Sequence, residues 1–203
     1  MPSPAPERKG QRTRQRILSA ARRVFAEVGY EKATIRGIAA AADVDKSSVI
    51  QYFGTKSNLF REAVHWTIPV AELTVTDPAE TAENYLRGLL SGWAAEPNGP
   101  MAVLLRNSMT SEDALELLRE QVTDHAVSSV AATIDEPDAR LRAALLSAML
   151  MGIASQRYLL RLPDLAAASD DEIVALTVPL LTALISPGSA AGSTTILGEP
   201  ETS

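Results

Sequence analysis

Apolar residues near the start of the chain recur at the spacing of one face of an α-helix. Between Arg12 and Val28 they stand at positions 17, 18, 21, 24, 25 and 28, which fits a period of 3.6 residues. The spacing predicts a helix that buries this face, and Gly29 predicts where that helix ends. No segment of the sequence has the strict apolar–polar alternation of a half-buried strand. We therefore expect an all-α fold.

Capping residues divide the rest of the chain into further helices. The predicted helices lie at about 34–41, 45–53, 55–67, 77–96, 101–109, 111–134, 136–162 and 169–185. Thr34 and Thr55 have hydroxyls that can accept hydrogen bonds from the first turns of their helices. Ser169 and Glu172 have the spacing of a capping box. Pro179 is expected to kink or split the last helix, because proline removes a backbone N–H donor.

Charge is distributed unevenly along the chain. Residues 1–60 hold eleven basic and five acidic side chains, a formal charge of +6, whereas the remainder holds eight basic and twenty acidic side chains, a charge of −12. The whole-chain value of −6 therefore hides a basic segment. This asymmetry indicates a polyanion-binding region joined to an acidic body, with a solvated basic tail as the alternative. Arg22 and Arg23 are expected on solvated helix surface.

The residue types that are absent or rare narrow the possible functions. Cysteine is absent, and His65 and His125 are expected to lie far apart, so we expect no disulfide, no cofactor and no histidine-based metal cluster. Hydrolase and nucleotide-binding motifs are absent, which argues against an enzyme. The most apolar stretch, 143–155, is too short to cross a bilayer, and there is no signal peptide. These features predict a cytoplasmic protein without a membrane partner.

Three short helices within residues 12–60 have the spacing of a helix-turn-helix unit, whose third helix enters the DNA major groove. The predicted DNA contacts are Arg36, Lys46, Ser47, Ser48, Ile50, Gln51, Tyr52 and Lys56. Gln51 can pair bidentately with adenine, and Ile50 can contact a thymine methyl group. The lysines and Tyr52 are placed for phosphate contact, and small serines allow close approach. A packing role is the alternative for Tyr52.

Segment 33–53, ATIRGIAAAADVDKSSVIQYF, resembles the DNA-binding signature of the TetR/AcrR family of transcriptional regulators, as do Lys56, Leu59 and Phe60 after it. The resemblance covers about residues 12–60, and the remainder agrees only in length and helical layout. It implies a bacterial homodimeric repressor of about nine helices. Its N-terminal three-helix head would bind DNA, and its C-terminal helical body would bind a ligand and dimerise.

The resemblance also implies a domain division and a set of partners. The expected ranges are a flexible basic arm at 1–11, a helix-turn-helix domain at 12–58, a ligand-binding and dimerisation domain at 59–185, and a disordered tail at 186–203. Thr34 joins the DNA contacts by position. The implied partners are double-stranded DNA with a palindromic operator, a second copy of the chain, and an unknown small-molecule effector. The protein would be nucleoid-associated when it is bound to DNA.

Four residues depart from the family pattern. Asp43 stands where the family usually has glycine, but aspartate tolerates the left-handed conformation better than most residues. Ser47 replaces a frequent glycine and Ile50 a common tyrosine, so the operator cannot be transferred by analogy. Asp45 places an acid near DNA, although as an N-cap it stabilises the third helix by about 1 kcal/mol.

The body offers candidates for a ligand pocket and a dimer interface, and core packing is the alternative for each residue. The pocket candidates are Trp93, Met101, Leu105, Asn107, Met109, His125, Met149, Gln156 and Tyr158. The dimer candidates, on the apolar faces of 140–162 and 172–185, are Leu145, Gly152, Val174, Leu181 and Leu184. A bound effector would favour a conformation whose two heads are wrongly spaced for the operator.

Other functions are compatible with the same residues. A transcriptional activator of the same fold would have the same sequence features as a repressor. A helical small-molecule-binding protein or enzyme could carry a head without DNA function, and an adaptor could use the acidic body to bind another protein. Sequence-selective, salt-sensitive DNA binding would separate the regulators from the other two classes.

Overall fold

The computed structural model describes residues 6–186, with side chains described from Gly10 onward. The helices are α1 (Pro6–Lys32), α2 (Ile35–Ala41), α3 (Lys46–Phe53), α4 (Lys56–Ala63), α5 (Val70–Leu73), α6 (Pro78–Ala95), α7 (Pro100–Ser108), α8 (Glu112–Glu120), α9 (Ser128–Ala131), α10 (Ala139–Ala154), α11 (Pro163–Ala167) and α12 (Asp170–Ile185). Two π-helical segments occupy Gln121–Val127 and Ser155–Leu159. Residues 6–186 contain no strand, and the all-α prediction is confirmed.

Helix α1 is longer than the sequence predicted. It begins at Pro6, a residue type favoured at the first helical position, so residues 6–11 of the predicted flexible arm are helical. No helix-breaking residue separates them from the amphipathic stretch except Gly10, which a helix tolerates at modest cost. Gly29 interrupts the helix with φ 79° and ψ 163°, as expected of a stop residue. Residues 1–5 and most of the predicted tail, 187–203, lie outside the described residues.

The predicted helix starts are largely confirmed by the capping bonds. Thr34 Oγ1 accepts from Gly37 N–H at 3.0 Å, and Thr55 Oγ1 accepts from Asn58 N–H at 3.1 Å. The capping box before α12 is complete, with bonds in both directions between Ser169 and its partner three residues on. Asp45 occupies the N-cap of α3 without a side-chain capping bond.

Several predicted helices differ from those observed in length or continuity. A short helix, α5, lies where a break was expected after Pro69. The long helices predicted at 111–134 and 136–162 each contain a π-helical segment. In contrast, α12 is not split at Pro179, because its buried face continues on both sides of the proline while Pro179 itself is exposed.

The chain divides into two compact units that are each discontinuous in sequence. Within the described residues, the first comprises 6–68 and 92–126, and the second comprises 69–91 and 127–186. In the first unit, α1 to α4 share one hydrophobic core with residues of α7 and α8. In the second, α10 packs against α12, and Tyr158 Oη donates to the Leu90 carbonyl at 3.0 Å. Among the described residues, every helix falls short of the length or apolarity that a bilayer span requires.

Candidate nucleic-acid interface

Helix α3 has one buried and one exposed face. Val49 and Phe53 are buried in the core of the first unit, which fixes the rotation of the helix. The exposed positions are Lys46, Ser47, Ile50, Gln51 and Tyr52, and Ser48 is half-buried. Ile50 is 46% exposed although it is a large apolar side chain. The residues predicted to read DNA are therefore accessible, whereas the helix's core residues are not.

The turn between α2 and α3 closes with the bond pattern of a Schellman motif. Val44 N–H donates to the Ala39 carbonyl at 3.0 Å, and Asp43 N–H donates to the Ala40 carbonyl at 3.2 Å. Asp43 has a φ of 52°, the left-handed conformation that this motif requires after the helix C-cap. The expectation that aspartate can replace glycine in this turn is confirmed.

Arginines of α1 bind the carbonyls at this turn. Arg16 Nη2 donates to the Asp43 carbonyl and Arg23 Nη2 donates to the Ala41 carbonyl, both at 3.1 Å. Cationic donors stabilise the carbonyl end of a helix because they complement its dipole. Arg23 is exposed, as expected of helix surface, and it is bonded to this turn as well. The seven-residue spacing of Arg16 and Arg23, which places both on one side of α1, was the available sequence signal.

Two more arginines of α1 contact the C-terminal ends of α4 and α3. Arg22 Nε donates to the Ala63 carbonyl at 2.8 Å, so Arg22 is also not merely solvated surface. Arg14 forms an ion pair with Glu62, and its guanidinium lies 5.3 Å from the centroid of the Phe53 ring. Part of the basic charge of residues 1–60 therefore positions the helix-turn-helix unit.

Lys56, predicted to bind phosphate, contacts the C-terminal end of α1. Its Nζ donates to the Tyr30 carbonyl at 2.9 Å and lies 4.3 Å from the centroid of the Tyr30 ring. Burial raises the pKa of the Tyr30 hydroxyl, so the ring beneath the ammonium stays neutral at ordinary pH. A phosphate contact by Lys56 stays a prediction that competes with these bonds.

The remaining predicted DNA contacts are exposed around the same unit. The Thr34 hydroxyl caps α2 by accepting a hydrogen bond, and the residue is exposed, so its surface is accessible to DNA. Arg36 is exposed on the first turn of α2. Tyr52 is 36% exposed, and its ring lies 6.2 Å from that of Phe53 between centroids. Their contacts with DNA stay predictions.

The predicted pocket residues are distributed over both compact units. Six belong to the first unit, while Met149, Gln156 and Tyr158 belong to the second. Met109 is 79% exposed, so it does not line an enclosed pocket in this structure. Trp93 is buried, in agreement with the core-packing alternative.

Asn107 has a structural role at the break in α1. Its side-chain oxygen accepts from the Tyr30 N–H, and its nitrogen donates to the carbonyls of Phe25 at 3.2 Å and Val103 at 2.8 Å. Gly29 interrupts the helical bonding beside these groups, and the buried amide satisfies them. These bonds favour the core-packing alternative for Asn107 over a ligand contact, because its amide oxygen and nitrogen are already bonded to backbone.

The predicted dimer residues also differ in accessibility. Val174 and Leu181 are buried within the second unit, so the core-packing alternative describes them. Leu145 is exposed, and Gly152 and Leu184 are half-buried. Four exposed leucines at i, i+4 spacing on the two helices are Leu141, Leu145, Leu176 and Leu180. Sequence reasoning chose the buried face of α12, because an apolar helix does not reveal which face its own protomer covers.

The two histidines are close in space although sixty residues separate them. The ring centroids of His65 and His125 lie 6.3 Å apart, so the expectation that these side chains are distant is wrong. Among the described residues, no group of three or more histidine, aspartate or glutamate side chains could hold a metal ion.

Family models match both parts of the chain. The model described as bacterial regulatory proteins, tetR family, matches residues 17–63, which contain the helix-turn-helix unit. The model described as tetracyclin repressor-like, C-terminal domain, matches residues 79–185, more than half of the chain. This chain belongs to the TetR family. The resemblance inferred from α2 and α3 is thereby confirmed.

Curated relatives match this TetR-family chain over short stretches. The HTH-type transcriptional repressor AcnR of Corynebacterium glutamicum is 48% identical over 48 residues, 24% of this chain and 26% of that protein. AcnR of Corynebacterium efficiens is 36% identical over 86 residues, 42% of each. The repressor Rv1474c of Mycobacterium tuberculosis is 43% identical over 47 residues, 23% of this chain and 25% of that protein. The matches thus span between about a quarter and two fifths of these relatives.

Solved structures extend the likeness to most of the chain. A TetR-family regulator from Streptomyces coelicolor is 29% identical, with a TM-score of 0.58 over 86% of this chain and 95% of that chain. NalD of Pseudomonas aeruginosa, a secondary repressor of a multidrug efflux pump, is 20% identical, with a TM-score of 0.67 over 84% of this chain and 96% of that chain. At that identity NalD shows the fold alone.

Proposed function

We propose that this TetR-family chain is a sequence-specific DNA-binding repressor of transcription and not an enzyme. The observation that carries the proposal is the exposed face of α3, where polar and apolar side chains project opposite a buried face that fixes the helix. Capping bonds hold the preceding turn in one conformation, as a base-reading helix needs. Repression, rather than activation, is favoured by the similarity to AcnR and Rv1474c, which are transcriptional repressors.

Base reading is assigned to Arg36 and Gln51, and Lys46 is assigned to phosphate. Guanidinium and carboxamide groups can pair bidentately with guanine and adenine, whereas an exposed ammonium neutralises phosphate without reading sequence. Ser47, Ser48 and Ile50 would shape the fit to the groove, and Thr34 and Tyr52 would contact backbone.

The protein would bind as a homodimer to a palindromic operator. Exposed leucines at i, i+4 spacing on α10 and α12 support this proposal, because paired apolar side chains on adjoining helices are typical of a contact surface. Two heads related by a twofold axis would place their α3 helices in successive major grooves, with half-sites about 34–36 Å apart or a multiple of that distance. Acting on chromosomal DNA, the dimer would work at the nucleoid in the bacterial cytoplasm.

A small-molecule effector would release the dimer from DNA. Among the described side chains, two buried oxygens have no hydrogen-bond partner, Ser111 Oγ and Gln121 Oε1. A buried acceptor without a partner is unfavourable unless a ligand or water satisfies it. We therefore add Gln121 to the candidate effector contacts, beside Trp93, Met101 and Leu105 of the same compact unit. The identity of the effector would follow from binding screens on the isolated protein.

The deciding experiment is selection of bound sequences from random DNA, followed by titration of the selected operator and of scrambled DNA. Arg36→Ala and Gln51→Ala should weaken operator binding by about tenfold to a hundredfold, which corresponds to about 1–3 kcal/mol per base contact, and change scrambled-DNA binding much less. Lys46→Ala should weaken both equally and reduce the salt slope by about one. Equal losses on both DNAs for Arg36→Ala and Gln51→Ala would contradict base reading. Failure to select any sequence would overturn the proposed function.

A further inference from the structure

The two imidazoles of the chain form a contact that the DNA-binding role does not use. His65 follows α4 by two residues, and His125 lies in the π-helical segment after α8. Their ring planes make an angle of 77° at a centroid separation of 6.3 Å, and both side chains are exposed. Both residues belong to the first compact unit.

A neighbouring ion pair joins the same two parts of the fold. Arg61 Nη1, in the last turn of α4, donates to Glu120 Oε2 at the end of α8 at 2.6 Å. Arg61 and His65 are four positions apart in the sequence. Their partners, Glu120 and His125, are five positions apart. Five residues of a regular α-helix turn through about 500°, which would rotate His125 well away from Glu120. The wider i→i+5 turn of the π-helical segment reduces that rotation and lets both residues meet their partners.

The distance between the rings suits a shared metal ion. A divalent ion bound about 2.0–2.1 Å from an imidazole nitrogen lies about 3 Å from the ring centre, so two rings on one ion have centroids up to about 6 Å apart. A small side-chain rotation would close the observed 6.3 Å to that value. Zinc, nickel and copper are the divalent ions that imidazole ligands suit.

We propose that His65 and His125 together bind one divalent transition-metal ion of this group. The described residues offer no group of three metal-binding side chains, so the protein supplies two ligands and water completes the coordination shell. Arg61, the basic residue four positions before His65, is paired with Glu120, and the residue before His125 in the sequence is the acidic Asp124. Binding would tie the segment after α4 to the π-helical segment, in parallel with the Arg61–Glu120 pair.

The experiment is calorimetric titration of the tag-free full chain with ZnCl₂ and with NiCl₂ at pH 7.5, in a buffer that does not chelate metals. We expect one ion per chain with micromolar affinity. His65→Gln and His125→Gln should each weaken binding by about tenfold or more, because each removes one of two ligands. Glu116→Gln, which removes an exposed carboxylate of α8 that pairs with Arg119, is the matched control and should bind as the wild type does.

Nuclear magnetic resonance gives a second readout that does not depend on affinity. The chain has two histidines and no cysteine, so every imidazole signal of the tag-free protein comes from this pair. Zinc should shift the signals of both rings at the same stoichiometry. Binding that is equal in wild type and both histidine variants, or a shift confined to one ring, would show adventitious association only and overturn the proposal. Neither assay contains DNA, so its result is independent of the proposed repressor function.

Discussion

The ammonium of Lys56 lies over the ring of Tyr30 and donates to the carbonyl of that same residue. One side chain of α4 therefore caps the end of α1 through both a cation–π contact and a hydrogen bond. The contact joins α1, which precedes α2 and α3, to α4, which follows them, and it is made by a residue first assigned to DNA. Its energetic role can be measured separately from DNA binding.

Replacing Lys56 with methionine should destabilise the protein while keeping the aliphatic part of the side chain. We expect Lys56→Met to lower the free energy of unfolding by about 1–2 kcal/mol, because the cation–π contact and the hydrogen bond are both lost. Lys46→Met removes an exposed lysine from the same unit and should change stability by less than about 0.5 kcal/mol. Urea unfolding in the absence of DNA compares them, and equal stabilities would refute the capping role.

Asp43 should be replaceable by glycine with a gain in stability. Its φ of 52° is unfavourable for any residue with a Cβ atom, so we expect Asp43→Gly to raise the free energy of unfolding by up to about 1 kcal/mol. Asp43→Ala should lower it, because alanine lacks the polar side chain that makes this conformation tolerable. Midpoints of urea unfolding give both values. If the two variants shifted in the same direction, the left-handed conformation would not be the cause.

Removing the Asn107 side chain should lower the free energy of unfolding more than removing the side chain of an exposed neighbour. Asn107→Ala leaves the buried Tyr30 N–H and Phe25 carbonyl without their side-chain partner, and we expect a loss of about 2–4 kcal/mol from two unsatisfied groups. Met109→Ala, on the same helix end but 79% exposed, should be nearly neutral. Thermal unfolding followed by circular dichroism compares them. A neutral Asn107→Ala variant would return Asn107 to the ligand-pocket candidates.

Replacing the exposed leucines of α12 with charged residues should dissociate the proposed dimer without unfolding the protomer. Leu176 and Leu180 are 78% and 58% exposed, so the double variant Leu176→Glu/Leu180→Glu should keep its helicity and sediment as a monomer. Leu181→Glu should instead unfold the protein, because that side chain is fully buried. Analytical ultracentrifugation reports the mass. A double variant with the wild-type mass would place the interface elsewhere.

The capping box of α12 should make stability depend on pH in the acid range. Bonds from the Ser169 backbone and hydroxyl lower the pKa of Glu172 from its ordinary value of 4.5. Because the folded-state pKa is the lower one, the carboxylate contributes stability above pH 4.5, and this is lost as pH falls through the folded value. Thermal unfolding between pH 7 and pH 3 should show a smaller pH dependence in Glu172→Gln than in wild type. Identical pH dependences would mean that this carboxylate is not linked to folding.

Sequence reasoning succeeded where the determining interactions are local. The caps at Thr34, Thr55 and Ser169 and the left-handed Asp43 depend on residues within a few positions, and so do the buried positions of α3. A helix-turn-helix unit is compact in sequence, so its periodicity and caps are sufficient to orient its exposed face.

Sequence reasoning failed where residues distant in sequence meet. Asn107 resembled a pocket residue because nothing nearby showed that it binds the backbone around Gly29, about eighty positions earlier. His65 and His125 were taken to be apart for the same reason. The sequence also does not distinguish the buried face of α12 from its exposed face, because both faces are rich in leucine and valine.

The first compact unit combines α1 to α4 with residues 92–126, and this has a consequence for protein engineering. Amides of α1 and of α7 should exchange with solvent in one cooperative opening, since elements that share a core tend to unfold together. A fragment that ends after α4 would expose the apolar surface that α7 and α8 cover. A chimera that transplants this DNA specificity onto another regulator would therefore have to include both helices, or replace them with a matching surface.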